Sequence, residues 1–461
     1  MTREKLRAMT REKLRAALGP TYLFFCLVLG GSVQGVWGAT SLQLLAVLII
    51  AWSFAEPGQT NLQRPMRQLG WLVVAAVTLF AVHLLPLPPA IIMAMPGREI
   101  VAEGRVILGL RAGWSSLSLS PYDTAAAILP LLPPVAMLCA IVRLRAYSPH
   151  GLAVAVLTAT VAAVALGALQ TGSPDPPTSP WYLYKISNFG VATGFFANSN
   201  HMASMLLVSI PFMVALAAHS SRAAKEARKR FTLLVVGAAG LGLIMVGLAL
   251  NGSLSGYGLV IPVTIASLLI AIPLGLTARR AALGLCAAGM LAFFLLLFSP
   301  LSNHMPGAAT SIDSRQEMLA GGTAAFTQFA PVGSGFGTFT RVYPLFERPG
   351  EVDATFVNHA HNDYLELAVE TGLPGIALML LFLLWWAAAV RRMLASPAAD
   401  GFAMAGAIGS AAVLVHSAVD YPLRTAAVAA LFATCIALIL VSRRTASAKT
   451  DIRPTRHLVI G

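Results

Sequence analysis

Apolar runs long enough to cross a bilayer recur along the whole of this chain, and they set what it can fold into. The stretch Leu373–Val390 carries no charged residue, and a transmembrane helix needs about 20 mainly apolar residues. Hydrophobic residues make up 57% of the 461 and charged residues 11%, where a soluble domain carries roughly 25%. The expected fold is an all-α polytopic membrane protein with about twelve transmembrane helices. Their spans are 19–37, 40–55, 69–87, 122–142, 151–169, 199–218, 231–250, 257–276, 281–298, 363–389, 401–417 and 423–441.

Loop charges orient these spans. Net charge is +13, but the basic residues stand in short clusters between apolar runs, the positive-inside pattern rather than a nucleic-acid surface. With alternating spans, the N-terminal arm, Arg64/Arg67, Arg143/Arg145, Arg222–Arg230, Arg279/Arg280, Arg391/Arg392 and Arg443/Arg444 all fall on one side. That side is read as cytoplasmic, in a bacterial inner membrane. The layout is then a basic cytoplasmic arm (1–18), helices one to nine (19–298), a long periplasmic loop between helices nine and ten (299–362), helices ten to twelve (363–441) and a cytoplasmic tail (442–461). Residues 1–8 and 9–16 repeat the same octapeptide, and no small-residue cleavage site follows the first apolar run, so no cleaved signal peptide is expected. Segments 88–121 and 170–198 are the other long connections on the periplasmic side. The 299–362 loop is rich in Gly, Pro, Phe and Tyr, so an ordered cap with short helices is expected there.

Cys26, Cys139, Cys286 and Cys435 each sit inside an apolar run without a C-x-x-C pair and read as small hydrophobes. There is no nucleotide-binding Gly-rich motif and no soluble domain for a nucleotide sugar.

The densest polar stretch, Asn358 to Glu366, lies where the long loop enters the tenth span. Ionisable groups at a membrane boundary are costly unless they face water or partners. One reading is a helix cap, with Asn362 or Asp363 at the N-cap and Glu366 and Glu370 favoured by the helix dipole. It leaves His359 and His361 unexplained. A second reading is a metal site, but His-x-His-x-Asp lacks a further histidine, because Tyr364 follows Asp363. A third makes a histidine the general base that takes a proton from a hydroxyl. Asn198, Asn200 and His201 open the sixth span on the same face, either as caps or as hydrogen-bonding groups for sugar or phosphate. His416, Asp420 and Arg424 follow four-residue spacing across Pro422. They read equally as a structural bridge between helices eleven and twelve or as a functional group.

These residues resemble the O-antigen ligase and polymerase superfamily of bacterial inner-membrane glycan transferases. Its signature of His, then Asn, Ser or Gln, nine residues, Gly, two residues and Gly, Thr or Tyr is matched by His361-Asn362, Gly372 and Gly375. The stretches Gly194–Ala203 and Pro331–Gly337 are also similar to the family, and the resemblance covers roughly residues 190–440. It implies transfer of a glycan from an undecaprenyl-diphosphate carrier to an acceptor glycan or glycolipid hydroxyl at the periplasmic face of the membrane. It implies inversion, no metal and no other cofactor, with His361 as base and Arg315 as the loop arginine for the diphosphate. The family's arginine between helices seven and eight is absent, since Leu254 stands there. Arg341, Arg348, Lys185 and Arg424 are the other cations on that face. Asn198, Asn200, His201, His359 and Asn362 complete the expected substrate-binding set. A polysaccharide polymerase is the alternative within the family. A lipid-linked-sugar transporter is the alternative outside it, disfavoured because the polar groups gather at one face rather than at the midplane.

Overall fold

The computed structural model describes residues 3–56, 63–111, 113–271, 309–348, 357–396 and 400–441, with a few isolated positions between 277 and 289. Among these, the helices that matter are α1 (Arg3–Leu29), α2 (Val36–Ala55), α3 (Arg64–Leu84), α4 (Pro121–Arg143), α5 (Pro149–Thr171), α6 (Ser199–Ala223), α7 (Ala227–Asn251), α8 (Leu254–Ala271), α9 (Ala309–Phe329), α10 (Asp363–Leu394), α11 (Gly401–His416) and α12 (Ala426–Val441). The only strands among the described residues are the antiparallel pair Pro86–Leu87 and Ser115–Ser116. The chain is an all-α multi-pass membrane protein: eight helices, α2 to α8 and α10, are long and apolar enough to cross a bilayer. Apart from a few isolated positions up to 289, the expected ninth span, 281–298, lies outside the described residues, as do Cys286, Arg279/Arg280 and the 442–461 tail.

Several boundaries differ from those expected, for local reasons. The basic arm is not separate, because good helix formers carry α1 from Arg3 straight into the first apolar run. That helix stops at Leu29, before Gly30-Gly31, and α2 starts at Val36. Pro130, Pro133 and Pro134 cannot donate the i→i−4 bond, so α4 passes through a 3₁₀ turn and closes with a π turn at Cys139–Arg143. Helices α11 and α12 have 16 residues each, about 24 Å at 1.5 Å per residue against a hydrocarbon core of roughly 30 Å. Most of their residues are buried in protein rather than facing lipid. Gly406 lets them close up, since a Cβ there would stand 2.6 Å from the Cys435 carbonyl oxygen.

The core of the bundle is α6, which packs on α5, α7, α8 and α11, while α12 packs on α1, α4 and α11. Cys26 and Cys435 are buried free thiols in this apolar packing, and Cys139 is half-buried.

Side-chain contacts at one end of the bundle and backbone hydrogen bonds at the other tie the two ends separately. At one end Arg15 pairs with Glu56 at 2.8 Å and donates to the Leu144 carbonyl, Arg143 donates to the Ser53 carbonyl, and Arg222 donates to the carbonyls of Ile270 and Ala271. The other end gathers the starts of α4, α6, α8, α10 and α12 with the ends of α1, α3, α5, α7 and α11. There Ala427 N–H donates to Gly30, Ser118 N–H to His83 and Asp363 N–H to Ser417. The described part of the long loop is ordered at this second end. Helix α9 and the short turns Phe339–Val342 and Tyr343–Leu345 enclose their own apolar core, with Phe329, Phe339, Tyr343 and Val369 at its centre.

Candidate active site

The site grows from a defect in α10. Pro374 has no N–H for the carbonyl of Glu370, and Gly372 sits at φ 61°, ψ −152°, so the helix kinks about two and a half turns from its start. The orphaned carbonyls are not left bare. Ser334 N–H donates to Val369 O (2.9 Å) and Gly335 N–H to Glu370 O (2.8 Å), while Leu373 N–H is redirected to Pro331 O (2.8 Å). The Pro331–Gly337 stretch is therefore a backbone brace on the kink. Arg98, itself buried, locks the brace by donating to the Gly333 and Leu117 carbonyls, and His83 Nε2 reaches the Val332 carbonyl at 3.1 Å.

The brace fixes the first turns of α10, where the polar stretch lies. Asn362 is the cap: its Oδ1 accepts from Tyr364 N–H and Leu365 N–H, each at 3.0 Å. Asp363 turns instead to the link between α11 and α12, accepting from Ser417 Oγ at 2.8 Å and Leu423 N–H at 3.3 Å. Asp363, Glu366 and Glu370 lie along one helix face, and Arg424 from that link reaches all three, at 3.7, 3.4 and 3.0 Å. Burial alone disfavours the Arg424 charge, but the carboxylates outweigh it and hold its pKa above the usual arginine range. Removing one member of such a buried group typically costs about 3–5 kcal/mol.

Just ahead of the cap, His361 adopts φ 46°, one of two non-glycine residues with positive φ among those described. That conformation costs of order 1–3 kcal/mol and persists only where surroundings impose it. It turns the ring toward the same link, placing Nδ1 3.1 Å from Asp420 Oδ1. The Asp420 side chain is fully buried and, that contact apart, finds no hydrogen-bond partner among the described residues. Burial would push its carboxyl up, yet the His361 contact and the nearby His201 and His416 hold it well below the usual range. A buried carboxylate facing Nδ1 selects the tautomer with the proton there and leaves Nε2 as acceptor.

Tyr421, next to Asp420, is the ring about which the histidines are arranged. Its centroid lies 4.9 Å from His361, 4.8 Å from His201 and 4.1 Å from His359. His359 Nδ1 in turn meets Glu366 Oε1 at 2.9 Å. The Gly194–Ala203 stretch closes the site from α6. Asn198 caps that helix through Asn200 N–H and donates from Nδ2 to the Tyr421 hydroxyl at 3.3 Å. Asn200 Oδ1 accepts from Ser253 Oγ at 2.7 Å. His416 is buried between Ser204 and Ser255, one hydroxyl on each ring nitrogen at 2.8 Å. His416, Asp420 and Arg424 thus have three different sets of partners instead of forming one cluster. Among the described residues no three of His, Cys, Asp and Glu are arranged to hold a metal ion.

The expected cations differ sharply in their surroundings. Arg424 is enclosed by carboxylates. Arg341 pairs with Asp123 at 2.9 Å on the exposed surface, Lys185 is exposed in the 170–198 connection, and Arg348 has a partner of its own. Arg315, half-buried on α9, makes no ion pair among the described residues, Glu317 included, and is close enough for its charge to act on His416. The Asp313 side chain lies outside the described residues. The sequence reading grouped His361, His359, His201, Asn198, Asn200 and Asn362, which the fold does bring together. It did not single out Tyr421 or the Asp420–His361 pairing, because both depend on a link two helices later folding back over the start of α10.

Residues 188–380 match the family model described as O-antigen ligase. The match spans less than half of the chain and supports the O-antigen ligase superfamily. It takes in His201, Arg315, His359 and His361 and ends before the Asp420–Arg424 link. No curated protein matches the chain.

Proposed function

With the O-antigen ligase superfamily supported by residues 188–380, we propose that this protein is an inverting, metal-independent glycosyltransferase of ligase type. It moves a glycan from undecaprenyl diphosphate to an acceptor sugar hydroxyl at the periplasmic face of a bacterial inner membrane, in lipopolysaccharide or surface-polysaccharide synthesis. The observation that carries this reading is the His361–Asp420 pair at the head of α10. A neutral imidazole with Nδ1–H turned to a buried carboxylate presents Nε2 as a base, in the manner of other His–carboxylate hydrolase and transferase sites.

In the reaction, His361 Nε2 takes the hydroxyl proton as the acceptor oxygen bonds to the anomeric carbon. The bond from that carbon to the diphosphate oxygen breaks with inversion, and undecaprenyl diphosphate leaves with the electron pair. Asp420 stabilises the resulting imidazolium. A diphosphate needs no protonation to leave, and a guanidinium matches its charge with bidentate geometry. Arg315 fills that role best, because Arg341 and Arg424 are already engaged by carboxylates. Asn198, Asn200, His201, His359 and Asn362 line the acceptor side, with the buried Tyr421 ring holding the histidines in place.

Ligase and polymerase differ only in acceptor, so the test uses two. Purified protein is given a defined undecaprenyl-diphosphate glycan with either a lipid A core or a second lipid-linked repeat, each with and without chelator. The ligase reading expects product on the lipid A core, undiminished by chelator. Product on the lipid-linked repeat alone makes it a polymerase, metal-restored activity removes the metal-free mechanism, and no product on either acceptor overturns the assignment.

A further inference from the structure

We infer that the segment Glu99–Trp114 is an interfacial membrane anchor, its apolar side chains sunk into the leaflet on the active-site side. The segment leaves and returns at the membrane edge. It is an excursion between the end of α3 at Leu84 and the start of α4 at Pro121, closed at its base by pairing of Pro86–Leu87 with Ser115–Ser116. Its helix, Glu99–Ile107, continues into Leu108-Gly109-Leu110.

The distribution of side chains is the reverse of a water-facing loop. Val106, Ile107, Leu108, Leu110 and Trp114 are between 58% and 83% exposed. Two of the three guanidinium groups turn inward: Arg98 is buried on the Gly333 and Leu117 carbonyls, and Arg105 donates to Ser115 Oγ at 3.0 Å and to the Arg111 carbonyl at 3.3 Å, while the Arg111 side chain is exposed. Glu99 and Glu103 lie on the first turns of the helix, on the same side as Val106 and Ile107, and hold that end at the headgroups while the apolar turn Val106–Leu110 goes deeper. Contiguous exposed apolar surface of this kind marks an interaction site, and a charged start followed by an apolar end suits a segment that dips from the headgroups into the acyl boundary.

The occupant is lipid because this surface continues the lipid-facing surface of the spans beside it. Val77, Val82 and Leu85 lead into the segment, and Tyr122, Ile128 and Leu129 lead out of it, all exposed. Trp114 and Tyr122 stand at its return, as aromatic residues do at a membrane interface. The anchor also bears on the site, since Arg98 at its base holds the Gly333 carbonyl of the brace under α10.

The test reads depth in a bilayer. In a chain whose four cysteines are replaced by alanine, single cysteines at positions 103, 107 and 110 are labelled with an environment-sensitive fluorophore. The protein is reconstituted in phosphatidylethanolamine–phosphatidylglycerol vesicles, with or without acyl-chain nitroxide lipid. Labels at 107 and 110 should emit as in an apolar medium and be quenched several-fold more than the label at 103. Water-like emission at 107 and 110 would overturn the proposal, as would apolar emission that nitroxide lipid leaves unquenched, because protein would then cover the segment. If the cysteine-free chain does not fold, Trp114→Phe in the native background serves. It should remove a component of tryptophan fluorescence that brominated lipid quenches, and an unchanged quenchable fraction counts against the anchor.

Discussion

Asp420 and His361 stand far apart in sequence and at 3.1 Å in space, and the proposed chemistry turns on that contact. Asp420→Asn keeps the shape and removes the charge that selects the Nδ1–H tautomer. The expected outcome is a fall in kcat of about 100-fold or more with KM little changed, read in the transfer assay. A fall in KM-dependent binding alone would assign Asp420 to packing. The same residue sets an acid limit. Its folded pKa is depressed, so its stabilisation is present above the unfolded value of about 3.9 and is lost as pH falls toward the folded value. The stability of Asp420→Asn should therefore be flatter than wild type below about pH 4. Among the cations, Arg315→Ala should cost roughly 100-fold or more in rate, whereas Arg341→Ala, which removes an exposed partner of Asp123, should cost little. Comparable losses for the two would refute the ranking drawn from their surroundings.

At the scale of elements, the kink in α10 makes the site possible. It releases the carbonyls of Val369 and Glu370, and the glycine-rich stretch 331–337 supplies the missing donors. Gly372→Ala places a Cβ against Pro331 O and 2.6 Å from Gly333 N, at a φ that L residues resist. Strain of order 1–3 kcal/mol or more is expected, seen as a lower melting temperature of the purified protein with a parallel loss of transfer. An unshifted melting curve would show that the brace does not hold the kink. Much of this region was legible in the sequence: His361-Asn362, Gly372, Pro374 and Gly375 announce a capped, broken helix after a long loop. The bracing role of Pro331–Gly337 was not, because backbone pairing leaves no side-chain pattern. From the sequence Arg424 stands both among the candidate cations of that face and in a spacing group with His416 and Asp420 that reads equally as structural or functional. The turn at Pro422 instead points it into three carboxylates that belong to another helix.

For the whole molecule, alternating basic clusters were enough to set which helix ends come together, because each span must reverse direction and charge marks one side. The short α11 and α12 were harder to bound, since burial in protein relaxes the length that lipid imposes. Reporter fusions at 188 and 345 should read periplasmic and a fusion at 226 cytoplasmic. The opposite pattern would put the site on the side away from a flipped lipid-linked donor. The most direct measurement is single-turnover transfer by wild type and His361→Ala, both shown to be folded and inserted, from one defined undecaprenyl-diphosphate glycan to one acceptor. The account predicts product from the wild type and none above background from His361→Ala, whereas wild-type rates in that variant would contradict it.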